Sequence, residues 1–254
     1  MPSLVGCLGW AATVMTGGSA YLCALREFDA LQKKVRRSTA GWNFAARRSA
    51  KKRIAELLPE VRTDLRWWAA KLVDDSWSGS RVLTKQFATP IAIKSDASGE
   101  FGAGFHQLDV EDPVWACWPW SAQQRLLYKD DMVAKELDPL VEAVRCHGAK
   151  WRGKLLNVAT DNTGAVYAIN AGRAKTHAAR QIMRDLADLL QEFDIDIVAQ
   201  WVPRELNVVA DLLSRQLTLE QALEQSGEVI ANFAATGDYE AALRAAVPSA
   251  MAGA

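Results

Sequence analysis

The run from Ile91 to Phe105 constrains this chain more than any other stretch. Apolar residues alternate up to an acid in Ile91-Ala92-Ile93-Lys94-Ser95-Asp96, Ser98-Gly99-Glu100 turns the chain, and Gly102-Ala103-Gly104-Phe105 returns. This pattern predicts a β-hairpin whose first strand carries Asp96 near its middle or end. A carboxylate in a core strand is costly unless it is neutralised, hydrogen-bonded at a turn or bound to a metal. Its partners must come from elsewhere in the chain.

Half of the 254 residues are apolar, enough for one sizeable core and a smaller helical unit. Formal charge sums to zero but is uneven. Between Arg26 and Lys71 there are 13 Lys and Arg against 5 Asp and Glu, whereas Gln216 to Ala254 holds one Arg against five acids. A basic first third suits a polyanionic partner, and equally a solvated surface. Cys7, Cys23, Cys117 and Cys146 show no metal-ligand spacing and no disulfide framework, so a reducing, intracellular compartment is expected, cytoplasmic or nuclear. Leu4 to Leu25 carries no charge, but no basic residue precedes it and Gly17-Gly18-Ser19 interrupts it. The expectation is two short apolar core helices joined at Gly17-Gly18, set against a targeting or membrane segment.

Lys33-Lys34-Val35-Arg36-Arg37 and Arg47-Arg48-Ser49-Ala50-Lys51-Lys52-Arg53 follow, with Trp42 and Phe44 between them. Such interleaving can track a phosphate backbone while stacking bases, or it can be a solvated linker. A helix is expected from about Pro59 to Val73, with Pro59 in its first turn and Trp67-Trp68 packing. Trp77-Ser78-Gly79-Ser80 and Thr89-Pro90 mark loops and a domain boundary between about Asp74 and Pro90.

Beyond the hairpin, Val114 to Trp118 reads as a third, antiparallel strand. Because proline is tolerated in a first helical turn, the next helix is expected to begin near Lys135 to Asp138, with Glu136 at its start. A single helix from Ser121 kinked at Pro139 is the alternative. Leu155 to Thr160 is a strand ending at Asp161, and Asn162 caps the helix after it. A helix over about Lys175 to Phe193 crosses to a strand at Ile195 to Val202, which makes the two strands parallel neighbours. Asn207 is expected to cap a helix holding Asp211, and the chain after Arg215 reads as an Ala/Glu-rich tail, weakly helical or disordered.

Asp96, Glu136, Asp161 and Asp211 thus occupy strand ends and helix starts of one mixed sheet. Two carboxylates about 4 Å apart repel by roughly 4 kcal/mol at an effective dielectric of about 20, which divalent cations relieve. Oxygen-only ligands favour Mg²⁺ or Mn²⁺ over zinc. Two such ions about 3.5 to 4 Å apart suit phosphodiester hydrolysis without a nucleophilic side chain. Singly, each acid has an ordinary reading at a turn or a helix dipole.

Ser95-Asp96-Ala97-Ser98 with Gly102-Ala103-Gly104, Lys135-Glu136-Leu137, Thr160-Asp161-Asn162-Thr163-Gly164-Ala165-Val166, and the run Trp201-Val202-Pro203-Arg204-Glu205-Leu206-Asn207 to Ala210-Asp211-Leu212-Leu213-Ser214-Arg215 resemble the ribonuclease H domain of retroelement reverse transcriptases, with the DIRS-like branch nearest. Leu8-Gly9-Trp10-Ala11-Ala12 and Leu65-Arg66-Trp67-Trp68 resemble the connection that precedes it. The resemblance implies an α/β, ribonuclease H-like fold: a mixed five-stranded sheet, three antiparallel strands then parallel ones, flanked by helices. It implies a helical, basic connection segment over 1–85, the ribonuclease H-like domain over 86–217 and a tail over 218–254. It further implies Asp96, Glu136, Asp161 and Asp211 as catalytic ligands of two Mg²⁺ or Mn²⁺ ions, with Ser98, Asn162, Arg204 and Asn207 as substrate contacts. The implied activity is cleavage of the RNA strand of an RNA–DNA hybrid, with a polymerase domain as possible partner and no membrane. The alternative is a catalytically inactive, domesticated remnant that binds nucleic acid.

Three features depart from the pattern. Pro203 to Leu206 lacks the histidine that cellular ribonucleases H carry before the last acid, so slow turnover is expected. No basic substrate-binding insertion stands out between Ala174 and Phe193. Tyr128-Lys129-Asp130-Asp131 mimics a polymerase motif without a polymerase palm before it, so copying by this chain alone is not expected. An exonuclease would place Asp and Glu two apart on the first strand, and an integrase would end on Glu; neither fits.

Overall fold

In the N-terminal third, apolar side chains including Leu8, Leu22, Leu25, Leu57, Val61 and Trp68 are buried, whereas Leu4 and Trp10 are exposed. A computed structural model describes residues 4–13, 15, 17–37, 44–74, 90–108 and 111–246. It divides into one unit of Met1–Lys85 with Gly172–Lys175 and another of Gln86–Ala171 with Thr176–Ala254.

In the first unit, α1 (Leu4–Ala11) leads through a 3₁₀ turn at Ala20–Leu22 into α2 (Cys23–Arg37), and α3 runs over Phe44–Leu72. The second apolar run therefore opens a longer helix that carries the first basic cluster. Trp68 is buried with Nε1 donating to the Tyr21 carbonyl at 2.9 Å, and Trp67 stacks on the Tyr21 ring at 4.4 Å. Both tryptophans are packing residues. The helix expected to start at Pro59 begins 15 residues earlier, and Pro59 lies inside it. An interior proline costs about 3 kcal/mol. Burial of Leu57, Val61 and Trp68 on one side, each contributing about 1.5–3 kcal/mol, offsets that cost. Arg47, Arg48, Lys51 and Lys52 stand exposed on this helix, so the second basic cluster is helical and not a linker. Trp42, the Trp77 loop and most of the expected boundary lie outside the described residues.

The second unit is built on a five-stranded sheet of order β3-β2-β1-β4-β5, comprising β1 (Ile91–Ala97), β2 (Gly102–Gln107), β3 (Val114–Pro119), β4 (Leu155–Thr160) and β5 (Asp196–Trp201). β1 and β2 are antiparallel with Asp96 opposite Gly104, β2 and β3 are antiparallel, and β1, β4 and β5 are parallel. The mixed sheet, its order of pairing and the opening hairpin are as expected.

Helices α4 (Ala122–Tyr128), α5 (Met132–His147), α6 (Thr163–Ala171) and α7 (His177–Glu192) connect the strands, and α8 (Val208–Ser214) follows β5. The start of α5 differs from both readings of its sequence. Asp131 Oδ1 accepts from the Ala134 amide at 3.1 Å and sets the helix start four residues before Glu136, leaving Pro139 in the interior. Asp131 fixes the N-terminus through a hydrogen bond, and the buried stripe of Ala134, Leu137, Leu140, Val141 and Val144 carries the helix past the missing Pro139 amide. Tyr128-Lys129-Asp130-Asp131 is the turn between α4 and α5, with Lys129 at φ 46°.

Of the two readings of the tail, weakly helical or disordered, the structure has the helical one, with two further helices, α9 (Leu219–Thr236) and α10 (Tyr239–Ala246), and more burial than expected. A Thr218–Gln221 capping box starts α9 and Gly237 at φ 70° ends it. Leu212, Leu213, Leu217, Ala222, Val229 and Leu243 form one buried cluster across α8, α9 and α10. No helix among the described residues is long and apolar enough to cross a membrane.

Candidate active site

Adjacent parallel strands end at the same edge of a sheet, which is where β1 and β4 deliver two acids. Asp96 is the sixth residue of β1, and Asp161 directly follows β4. Glu136 projects from the second turn of α5, and Asp211 lies in the first turn of α8. α8 can lie close on β2 because residue 104 has no side chain: a Cβ there would meet Leu213 Cβ at 2.7 Å.

One carboxylate oxygen each from Asp96, Glu136 and Asp161 lies within 4.8 Å of the others. Asp211 stands outside that trio but lines the same cleft of about 410 Å³. Its Oδ1 accepts from Arg215 Nε at 3.0 Å. Its Oδ2 lies 3.4 Å from Arg204 Nε, which is also 3.4 Å from Asp161 Oδ2. Thr160 Oγ1 donates to Glu136 Oε2 at 3.4 Å, and Trp201 Nε1 donates to the Asp161 carbonyl at 3.0 Å.

Burial, then the charges of Asp211 and Asp161, holds the Asp96 carboxyl well above the ordinary range. Burial, then Asp96, Asp161 and Asp211, does the same to Glu136. Burial also raises Asp161, opposed by Arg204, and Asp211, opposed by Arg215 and Arg204. The cleft thus concentrates negative charge in a poorly solvated place. Its donors are all oxygens, and the buried Asp211 Oδ2 has no hydrogen-bond partner. That donor set fits a hard divalent cation.

The four residues expected at the substrate fall into two groups. Ser98, Asn162 and Arg204 line the cleft. Ser98 Oγ accepts from the Glu100 and Phe101 amides at 3.3 Å, shaping the hairpin turn, and Asn162 Oδ1 accepts from Ala165 N at 3.0 Å, the expected cap of α6. Asn207 differs. It makes no side-chain cap, is 1% exposed, and donates from Nδ2 to the Ser95 carbonyl at 3.0 Å. Buried in this way, it ties α8 to β1 and has no face free for substrate.

Arg215, Tyr239 and Glu240 join the site without having been singled out. Glu240 Oε1 accepts from Arg204 Nη1, its Oε2 lies 3.6 Å from Arg215 Nη2, and the Tyr239 ring centroid is 5.3 Å from the Arg204 guanidinium carbon. Arg215 follows Asp211 by four residues on the same helical run, a spacing that brings their side chains together. Glu240 sits in the Ala/Glu-rich tail, where one acid among several carries no signal.

Residues 116–217 match the family model described as reverse transcriptase-like. Similar solved structures include the N-terminal ribonuclease H domain of Rv2228c from Mycobacterium tuberculosis, fused to maltose-binding protein, at 17% identity and TM-score 0.40, covering 49% of this chain and 95% of that one. LC11-RNase H1 in complex with RNA/DNA hybrid is 19% identical at TM-score 0.39, covering 52% and 98%. RNase H1 from the halophilic archaeon Halobacterium salinarum NRC-1 is 16% identical at TM-score 0.36, covering 52% and 95%. No curated protein matches the chain. The match supports the retroelement ribonuclease H resemblance and does not extend to the DIRS-like branch.

Proposed function

We propose that the second unit is a metal-dependent endonuclease that hydrolyses the RNA strand of RNA–DNA hybrids, as part of a retroelement reverse transcriptase. The observation that carries this reading is the convergence of Asp96, Glu136 and Asp161 within 4.8 Å, from positions spread over 66 residues of sequence. Asp96, Glu136, Asp161 and Asp211 would hold two Mg²⁺ or Mn²⁺ ions. Bound there, such ions supply an activated water and stabilise the leaving oxygen of a phosphodiester. The chain's own residues prepare that place. Thr160 orients Glu136, Arg215 fixes one oxygen of Asp211 while Arg204 lies 3.4 Å from the other, and Ser98 and Asn162 line the cleft beside them.

The exposed Arg47, Arg48, Lys51 and Lys52 of α3 suit a phosphate backbone, and a polymerase domain is the natural partner of a connection-like first unit. The test is cleavage of a labelled hybrid with and without Mg²⁺ or Mn²⁺, in the wild type and in Asp161→Asn. Metal-dependent cutting lost in Asp161→Asn is the expected result. Salt-dependent hybrid binding without metal-dependent cutting would mark a nucleic-acid-binding remnant instead.

A further inference from the structure

Arg204 meets the acids of the cleft in two unlike ways. Its Nε lies 3.4 Å from both Asp161 Oδ2 and Asp211 Oδ2, yet neither Arg204 Nε nor Asp211 Oδ2 makes a hydrogen bond. Its contacts with those two carboxylates are ion pairs without a hydrogen bond. Its Nη1, by contrast, donates to Glu240 on α10, with the Tyr239 ring alongside. A guanidinium keeps its charge at every working pH, so Arg204 can release Asp161 and Asp211 only by moving.

We propose that Glu240 is a positioning residue that serves as the exchange partner of Arg204. Arg204 neutralises Asp161 and Asp211 while no divalent cation is bound in the cleft, and Glu240 would retain the guanidinium when a cation is bound there. This rests on the cation-binding reading given above. Without Glu240, Arg204 has no alternative carboxylate at its Nη1 and competes harder for the oxygens a cation needs. Without Arg204, Glu240 keeps its 3.6 Å contact with Arg215, but no guanidinium stands between Asp161 and Asp211 for it to draw away. The effect of Glu240 on cation binding must therefore pass through Arg204, which a double-mutant cycle isolates.

The experiment is Mn²⁺ titration of the full chain, followed by the electron paramagnetic resonance signal of free Mn²⁺, in the wild type, Glu240→Gln, Arg204→Gln and the double variant. Thermal unfolding of each variant confirms folding. Glu240→Gln is expected to weaken the weaker Mn²⁺ by about tenfold, Arg204→Gln to tighten it, and the double variant to bind as Arg204→Gln does. If Glu240→Gln fails to fold, Glu240→Asp, which shortens the reach and keeps the charge, carries the same cycle. A double variant weakened relative to Arg204→Gln by the full Glu240→Gln factor overturns the inference, because Glu240 would then act through its own charge. An unchanged Glu240→Gln affinity overturns it too. No Mn²⁺ binding by the wild type overturns the proposed function along with it, whereas binding with an additive cycle overturns this inference alone.

Discussion

Asn207 Nδ2 donates to the Ser95 carbonyl at 3.0 Å, joining the start of α8 to the strand that carries Asp96 across 112 residues of sequence. That bond sets where Asp211 stands relative to Asp96, because Asn207 lies one turn before Asp211 on the same element. Asn207→Ala removes a buried donor and is expected to cost about 1–3 kcal/mol of stability. Urea unfolding measures this, and a midpoint equal to wild type would show that the tie is idle.

Gly104 faces Asp96 in the β1–β2 register and lies under α8. A methyl group there would be 2.7 Å from Leu213 Cβ and 3.0 Å from the Leu213 carbonyl carbon, so the helix must move. Gly104→Ala is expected to destabilise by about 1–3 kcal/mol through overpacking. It should also weaken Mg²⁺ binding, since Asp211 moves with the helix. Isothermal titration together with urea unfolding tests both effects.

The carboxyls of Asp96 and Glu136 are raised by burial and by their acidic neighbours, so the folded chain binds these protons more tightly than the unfolded chain. The stability this contributes is complete below the ordinary carboxylate range and is lost as pH rises from there through the raised folded values. In EDTA, the melting temperature should therefore fall as pH climbs through that window. Mg²⁺ at about a hundred times its Kd should restore about 2.7 kcal/mol near neutral pH. Melting curves across pH, with EDTA and with Mg²⁺, check the sign, and parallel curves would contradict it.

Leu243 is fully buried in the cluster that α10 shares with α8 and α9. Leu243→Ala is expected to cost about 2–5 kcal/mol, as a cavity in a packed core does. A disordered tail would show no change in the unfolding midpoint, so chemical denaturation separates the two possibilities.

The sequence by itself determined the features that depend on near neighbours along the chain. Alternation into Asp96 and the polar turn at Ser98 specify the hairpin, and the helical crossover between Thr160 and Asp196 dictates that β4 and β5 run parallel. The pairing of β1 with β4, which brings Asp96 and Asp161 to one sheet edge, is not among these and is given by the structure. What only the tertiary structure decided is whatever depends on a surface supplied from far away. Pro59 and Pro139 break helices by local rules, and both are carried through because a buried face outweighs one missing amide hydrogen bond. Asn207 prefers a cap by type, but the Ser95 carbonyl offers it a buried acceptor that no spacing reveals. The tail's few apolar residues, such as Val229 and Leu243, gain their burial only where α8, α9 and α10 pack on one another. That packing, in turn, brings Glu240 to Arg204. Turn and helix-cap chemistry and side-chain periodicity are written locally, whereas the free energy of burial depends on which distant surface a segment meets.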